Sequence, residues 1–137
     1  MKNRKFYLLL ILLLMFVSGY IVLRQPNPQK ILKQELKKLY RIDIDNFKPS
    51  ITYYNEQWNL NGDGERMIRF DFSSDLLEIS KYFSKMKKLP VAELNMMFPA
   101  NEYSSGYYIY NEYDDNSFDI VLLDTLKNEG VLLICFL

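Results

Sequence analysis

The chemistry open to this chain is limited first by the residue types that it lacks. Its 137 residues include no histidine and one cysteine, Cys135. Catalysis by a Ser-His-Asp or Cys-His arrangement, zinc bound by histidine and proton transfer by imidazole are therefore excluded. The sequence also has no Walker-type or dinucleotide-binding glycine loop. We predict no catalytic residue and no cofactor, although a pair of carboxylates remains a chemistry that the composition allows.

Residues 59–64, Asn-Leu-Asn-Gly-Asp-Gly, are the sharpest candidate for a ligand site because they resemble the first half of a calcium loop. The pattern is incomplete, since counting Asn59 as position 1 places Phe70 where a bidentate glutamate is required. A hairpin turn explains the same residues, because asparagine and glycine readily adopt positive φ. The alternative is a weak cation site with three carboxylates: Asp63, Glu65 and Asp71.

Aromatic side chains form the second candidate, since the chain has eleven tyrosines and one tryptophan. Flat amphipathic rings both stack and form hydrogen bonds, so a cluster of them could line a surface for a glycan or another ligand. Tyrosines also occur on half-buried strands for structural reasons, and both interpretations stay open. The candidate binding residues are six aromatic side chains, Tyr53, Tyr54, Trp58, Tyr107, Tyr108 and Tyr110.

An uncharged apolar run occupies residues 6–23, after the basic N-terminus at 1–5. At about 1.5 Å per residue, a helix of this run is about 27 Å long, close to the roughly 30 Å hydrocarbon core of a bilayer. We therefore predict an N-terminal transmembrane helix that acts as a signal anchor and inserts into the lipid bilayer. The expected location is the cell membrane, in a single pass.

Two other interpretations of the run, and its orientation, depend on a few residues. Small residues at Val17-Ser18-Gly19 also fit a cleaved signal peptide. A bacterial lipoprotein would need a cysteine at the position of Tyr20, so a lipid anchor cannot be attached there. Basic residues lie on both sides of the run, which leaves the positive-inside rule ambiguous. Because a short basic N-terminus is typical of an anchor that exports the rest of the chain, we expect an extracytoplasmic C-terminal domain.

After a proline-containing linker at 24–28, residues 29–137 are predicted to form one small domain. Apolar residues recur at helical spacing over 29–40, which predicts an amphipathic helix. Its basic residues could contact anionic lipid headgroups or could simply form a solvated face. Those residues are Lys30, Lys33, Lys37 and Lys38. No feature of the chain predicts binding to nucleic acid.

The remaining pattern predicts an α+β domain. Strands at 51–54 and 67–72 are joined by a turn at 61–64, and a capping box at Asp75 and Glu78 begins a second helix over 75–87. Three later strands follow at 107–110, 118–123 and 131–137, whereas residues 91–98 fit either a short strand or one helical turn. We predict an antiparallel sheet of about five strands with two helices on one face.

Several short motifs carry a resemblance: Tyr53-Tyr54, Gly62-Asp63-Gly64-Glu65, Lys88-Leu89-Pro90 and Gly106-Tyr107-Tyr108. They resemble a group of small uncharacterised proteins of Gram-positive bacteria that are membrane-anchored or exported and share a Gly-Asp-Gly hairpin. The chain departs from that group at residues 58–61, where a stretch with histidine and glycine is common. The resemblance implies an architecture and no reaction.

The function predicted from these observations is a non-catalytic binding or interaction domain at the cell envelope, with a protein or envelope partner. One alternative is an immunity-type protein that protects the membrane against a toxin or bacteriocin. Another is a small carboxylate-dependent extracytoplasmic enzyme. An enzyme should bring Asp63, Glu65 and Asp119 together in a concave site, whereas an interaction protein should present an exposed aromatic or acidic face.

Overall fold

A computed structural model describes residues 2–23, 26–91, 102, 103 and 105–137, and these contain three α-helices and six β-strands. The helices are α1 (Lys2–Leu23), α2 (Pro28–Tyr40) and α3 (Leu76–Ser80). The strands are β1 (Ser50–Trp58), β2 (Gly64–Asp71), β3 (Lys87–Lys88), β4 (Gly106–Glu112), β5 (Phe118–Asp124) and β6 (Glu129–Phe136). The α+β class predicted from the sequence is therefore confirmed.

All six strands form one antiparallel sheet in the order β1-β2-β6-β5-β4-β3. The predicted β1–β2 hairpin and the β4–β5–β6 meander are both present, and the pairing of β2 with β6 joins them. The prediction of about five strands is corrected to six, because Lys87 and Lys88 pair with Tyr108 and Tyr107.

The β1–β2 hairpin closes through the turn that the sequence predicted. Asn59 donates its backbone N–H to the Asp63 carbonyl at 2.7 Å, and Gly62 adopts φ +96°. Glycine tolerates that conformation because it lacks a Cβ. The turn places Trp58 and Gly64 opposite one another at the end of the sheet.

Helix α2 forms where the sequence predicted it and is fixed at both ends. The Asn27 side chain accepts a hydrogen bond from the Lys30 backbone N–H at 3.1 Å, and Pro28 occupies the first turn. Leu32 and Leu36 are buried on its inner side. The helix ends at Arg41, whose left-handed φ of 56° lets the Ile42 backbone N–H donate to the Leu36 carbonyl at 3.0 Å.

Both faces of the sheet are covered by apolar residues. On one face, called the helix face, Leu32 and Leu36 of α2 and Ile79 of α3 share a core cluster with Ile68 and Leu132. Helices α2 and α3 therefore pack on the same face of the sheet. The opposite face holds a second core cluster with these buried residues: Tyr103, Tyr108, Ile120, Leu122, Val131 and Leu133.

The helix predicted over 75–87 is wrong in length. Only α3 is α-helical, with 3₁₀ turns at Ser73–Asp75 and Phe83–Lys85. Asp75 makes no capping hydrogen bond, and Glu78 pairs with Lys81 at 2.6 Å instead of completing a capping box. The last residue of the predicted helix, Lys87, belongs to β3 instead. The undecided segment at 91–98, apart from Val91, lies outside the described residues, as do linker positions 24 and 25.

The apolar run of the sequence forms α1, and its side chains at positions 6–20 are exposed. Among the described residues, no helix is long and apolar enough to cross a membrane. This finding contradicts the predicted transmembrane helix at 6–23, which is corrected to an exposed apolar helix.

Candidate functional site

The six aromatic binding candidates do not share one surface. Tyr54 and Trp58 of β1 alternate with Tyr53, so the first two lie on the helix face and Tyr53 lies on the opposite face. On β4, Tyr107 lies on the helix face, opposite Leu123 of β5. The predicted aromatic surface is therefore divided between two faces and two distant strands.

The three aromatic candidates of β4 serve packing. Tyr107 stacks on Phe83 with ring centroids 4.3 Å apart. Tyr108 is 2% exposed and belongs to the second core cluster. Tyr110 is half-buried, with its ring 5.8 Å from that of Phe118. The structural interpretation therefore applies to all three.

The three carboxylates proposed for a weak cation site are also separated. Asp63 accepts a hydrogen bond from the Asn61 amide within the turn. Asp71 lies at the far end of β2, about 20 Å from Glu65 at about 3.3 Å per residue. Hydrogen bonds from the Ser73 hydroxyl and backbone N–H lower the pKa of Asp71. Within the described residues, no three His, Cys, Asp or Glu side chains are grouped to hold a metal ion.

The carboxylates expected of an enzyme are not brought together either. Asp119 lies on the helix face, opposite Ile134, whereas Glu65 alternates with Arg66 and points to the other face. Asp63 belongs to the hairpin turn. A concave site with these three converging carboxylates is therefore not formed.

Instead, a row of polar residues crosses the helix face. Glu56 pairs with Arg66, Arg66 with Ile134, Ile134 with Asp119, and Asp119 with Asn111. Residues paired across antiparallel strands point to the same face, so five strands contribute to one row. Most of this row is polar, although it lies beside an apolar core.

Arg66 is the centre of an ion-pair network that ties α2 to the sheet. Its Nη1 donates to Glu35 Oε1 of α2 at 3.0 Å, and its Nη2 donates to Glu56 Oε1 of β1 at 2.7 Å. All three side chains are about one-fifth exposed, at 18%, 19% and 21%. Its Cζ also lies 6.0 Å from the centre of the Trp58 ring. Partial burial makes these pairs stronger than ordinary surface pairs.

Glu56 accepts hydrogen bonds from three neighbours. Tyr54 donates its hydroxyl, Trp58 donates its indole N–H at 2.7 Å, and Arg66 donates as described. Burial by itself raises the pKa of Glu56, but these hydrogen bonds outweigh it and lower the pKa to about 2. Burial, followed by the bond to Glu56, raises the pKa of Tyr54 to about 12. Glu56 is therefore ionised, and Tyr54 neutral, throughout the neutral pH range.

Asp119 is the second polar centre of the row and is only 1% exposed. Asn111 donates its side-chain amide to Asp119 Oδ1 at 2.8 Å, and the Tyr113 hydroxyl donates to Oδ2. That hydrogen bond, followed by burial, raises the pKa of Tyr113 to about 12. No lysine or arginine of the described residues lies within 4.0 Å of the Asp119 carboxylate. Asp119 is thus a buried carboxyl group held only by neutral donors.

A cleft of about 310 Å³, which we call the α2 cleft, opens between α2 and the ends of β5 and β6. Its polar lining consists of Glu35, Lys38, Tyr113 and Asp119. Its apolar lining includes Leu39, Phe118, Ile134 and Phe136. This size is at the lower end of the range for small-ligand sites, about 300–1,000 Å³.

Exposed aromatic rings flank the α2 cleft. Trp58 is 49% exposed, and its ring centroid lies 5.3 Å from that of Phe136, which is 40% exposed and lines the cleft. Tyr113 is also exposed. Of the aromatic candidates taken from the sequence, Trp58 is therefore the one that lies next to a cavity on the helix face.

Glu35, Arg66 and Phe136 were not predicted as site residues from the sequence. Asp119 was predicted only as part of the enzyme hypothesis. A signal for Asp119 was present, because it is the one charged residue inside the apolar run 118–123. A charge in an otherwise apolar central strand indicates a buried polar contact. Glu35 and Arg66 look like ordinary surface residues in the sequence.

Comparisons of the chain with protein-family models, curated proteins and solved structures found no match.

Proposed function

We propose that the domain is a non-catalytic interaction module that binds a protein partner at the α2 cleft and the adjoining Trp58–Phe136 pair. The observation that carries this proposal is the position of two half-exposed, contacting aromatic rings beside a cavity. Trp, Tyr and Arg are enriched among the few residues that carry most of the binding energy of a protein interface.

The polar network next to the rings supports the same proposal. Hydrogen bonding to Glu56 fixes the Trp58 indole, and Glu56 is itself held by Arg66. A side chain that is ordered before binding loses less conformational entropy when a partner arrives. The Trp58–Phe136 pair is therefore suited to be an anchor for a partner.

An immunity-type protein remains within the same proposal, because neutralising a toxin by binding it requires the same kind of surface. A gene for a toxin or bacteriocin beside the gene for this chain would favour that version. The converging carboxylates that the enzyme alternative requires are absent, because Glu65 and Asp119 lie on opposite faces of the sheet and Asp63 lies in the hairpin turn.

Selection of a phage-displayed random peptide library on the purified protein tests the proposal. The single tryptophan of the chain is Trp58, so its fluorescence reports directly on binding at the site. We expect enriched peptides to shift the Trp58 emission and to bind Phe136→Ala about tenfold more weakly, as for an interface anchor.

Leu126→Ala is the matched control, because Leu126 is an exposed apolar residue, 77% accessible, and does not line the α2 cleft. Peptide affinity should be unchanged in this variant. Enriched peptides that bind wild-type protein and Phe136→Ala equally well, with no change in Trp58 emission, would refute the proposal.

A further inference from the structure

The two edges of the sheet are built differently. The edge at β3 consists of Lys87 and Lys88, and both a short strand and lysine side chains discourage pairing with another chain. The edge at β1 has nine residues without proline or lysine, and none of them is buried. Its one charged residue, Glu56, is already paired with Arg66. β1 therefore lacks the features that usually keep an open edge from accepting a further strand.

The backbone groups that β1 offers at the edge follow from its pairing with β2. Asn59 donates its N–H to the Asp63 carbonyl at 2.7 Å, so these two residues form a hydrogen-bonded pair at the end of the ladder. Hydrogen-bonded and non-hydrogen-bonded pairs alternate along an antiparallel ladder, and a bulge shifts the register only near the start of β1. The N–H and C=O groups of Tyr54, Glu56 and Trp58 therefore point away from β2. Within the described part of the chain, no other backbone group bonds to them.

We propose that β1 binds an extended segment of the protein partner, which adds to the sheet as a further strand. The proposal rests on the interaction function above and names the form in which the partner binds. In this mode backbone hydrogen bonds provide affinity, and the side chains beside them provide specificity. The side chains of Tyr54 and Trp58 lie on the helix face, so partner residues paired with them lie on that face too. Apolar residues at alternate positions of the segment therefore contact the two rings.

A second copy of this chain fits the edge less well than an unrelated segment. Antiparallel pairing of β1 with itself, with all three outward-pointing residues in use, places Tyr54 opposite Trp58 and Glu56 opposite Glu56 of the copy. Like charges directly opposite one another destabilise a sheet. A shift of two residues separates the charges but moves one outward-pointing residue opposite the bulge or the hairpin turn. The edge therefore favours a segment with no acidic residue opposite Glu56.

Nuclear magnetic resonance titration with two isomeric peptides tests the proposal. Both have the sequence acetyl-Thr-Val-Thr-Phe-Thr-Val-Thr-amide, in which the apolar residues share one face of a strand. The probe has N-methyl groups on its third and fifth residues, which leaves the N–H groups of the apolar residues free, whereas the control has them on its fourth and sixth residues. We expect saturable shifts of the backbone amide signals of Tyr54, Glu56 and Trp58 with the probe. The control should bind about tenfold more weakly, because it lacks two of the N–H donors. Equal affinity of the two peptides, or no saturable shift of these amides, would overturn the proposal.

Two variants at one position separate the backbone from the side chain. Glu56→Pro removes an N–H that points away from β2, so the ladder between β1 and β2 keeps its hydrogen bonds. Glu56→Gln is the matched control, because it changes the side chain and keeps the N–H. The probe should bind Glu56→Pro about tenfold more weakly than Glu56→Gln, since proline removes a donor and its ring occupies the edge. Equal affinity in the two folded variants would refute the assignment. If Glu56→Pro does not fold, the two peptides titrated into the wild-type protein decide the question.

The two proposals fail in different ways. Peptide binding that weakens in Phe136→Ala but is equal for the two N-methyl isomers would preserve the interaction function and overturn strand addition. Binding that distinguishes the isomers but is unchanged in Phe136→Ala would preserve strand addition and overturn the α2 cleft as the interface. Dimers of the wild-type protein that protect the amides of Tyr54, Glu56 and Trp58 without peptide would assign the edge to a second copy and overturn the partner segment.

Discussion

At the residue scale, Glu56 shows how strongly the network around Arg66 favours one ionisation state. Its carboxyl pKa is about 2 in the folded protein, against an ordinary value of 4.5. A lowered pKa in the folded state means that the carboxylate stabilises the fold above its unfolded pKa. That contribution is lost as the pH falls from about 4.5 through about 2.

We expect Glu56→Gln to reduce the free energy of unfolding at pH 7 by about 1–3 kcal/mol, because it removes the charge of a partly buried pair. The difference from wild type should shrink as the pH approaches 2. Urea unfolding at pH 7, 4 and 2.5 measures this. Glu65→Gln on the exposed side of β2 is the control, and an equal loss in both variants would contradict the prediction.

Gly130 is a residue whose type is fixed by a close contact. A Cβ at this position would lie 2.2 Å from Cζ of Phe70, which pairs with Gly130 across the sheet. Gly130→Ala should destabilise the protein by about 1–3 kcal/mol through overpacking. Phe70→Leu should recover part of that loss, which a double-mutant cycle of thermal or urea unfolding measures. If the two substitutions changed the free energy of unfolding additively, the contact between Gly130 and Phe70 would not be the cause of the loss.

At the element scale, α2 is held mainly by its inner leucines. Leu32 is completely buried between the helix and the sheet, so Leu32→Ala should cost about 2–5 kcal/mol of unfolding free energy. Leu77→Ala in α3 is the control, because Leu77 is 77% exposed and its truncation should cost less than about 0.5 kcal/mol. Similar losses in both variants would contradict this account of the packing.

The same elements show what the sequence could predict. Apolar and aromatic runs separated by turn residues predicted β4, β5 and β6, and apolar residues at helical spacing predicted α2. The prediction of a second helix over 75–87 was wrong because contacts with a distant strand, β4, determine the structure there. Its apolar stripe, including Phe83, is helical in spacing, but Phe83 stacks on Tyr107 and Lys87–Lys88 pair with β4. Local spacing carries no information about that pairing.

The candidate site could not be predicted for the same physical reason. The α2 cleft joins Glu35 of α2 to Asp119 of β5, and the Arg66 network joins Glu35 to β1 and β2. Strand order and register create these neighbours, and the sequence alone does not reveal that β6 lies between β2 and β5. Trp58 was predicted as a binding residue from its type, but its pairing with Phe136 depends on the same register.

At the scale of the whole molecule, stability should be greatest at the centre of the sheet. β6 and β5 have strands on both sides, and residues Ile120, Val121 and Leu122 are fully buried. β1 and β3 form the two edges. Opening of an edge strand breaks one ladder, whereas opening of β6 breaks two and exposes core residues of both faces.

We therefore expect the amides of β5 and β6 to exchange hydrogen only through global unfolding, and the amides of β1 to exchange through smaller local openings. Hydrogen exchange followed by nuclear magnetic resonance at several urea concentrations separates the two. In Leu32→Ala, protection at the centre of the sheet should fall by the full loss of unfolding free energy, while rapidly exchanging edge amides should change less.

Equal protection of β1 and β6, with equal urea dependence, would mean that the β1–β2 hairpin unfolds only together with the rest of the sheet. In that case a partner at Trp58 would bind a surface as stable as the core, and its binding should leave the exchange of β1 unchanged relative to β6.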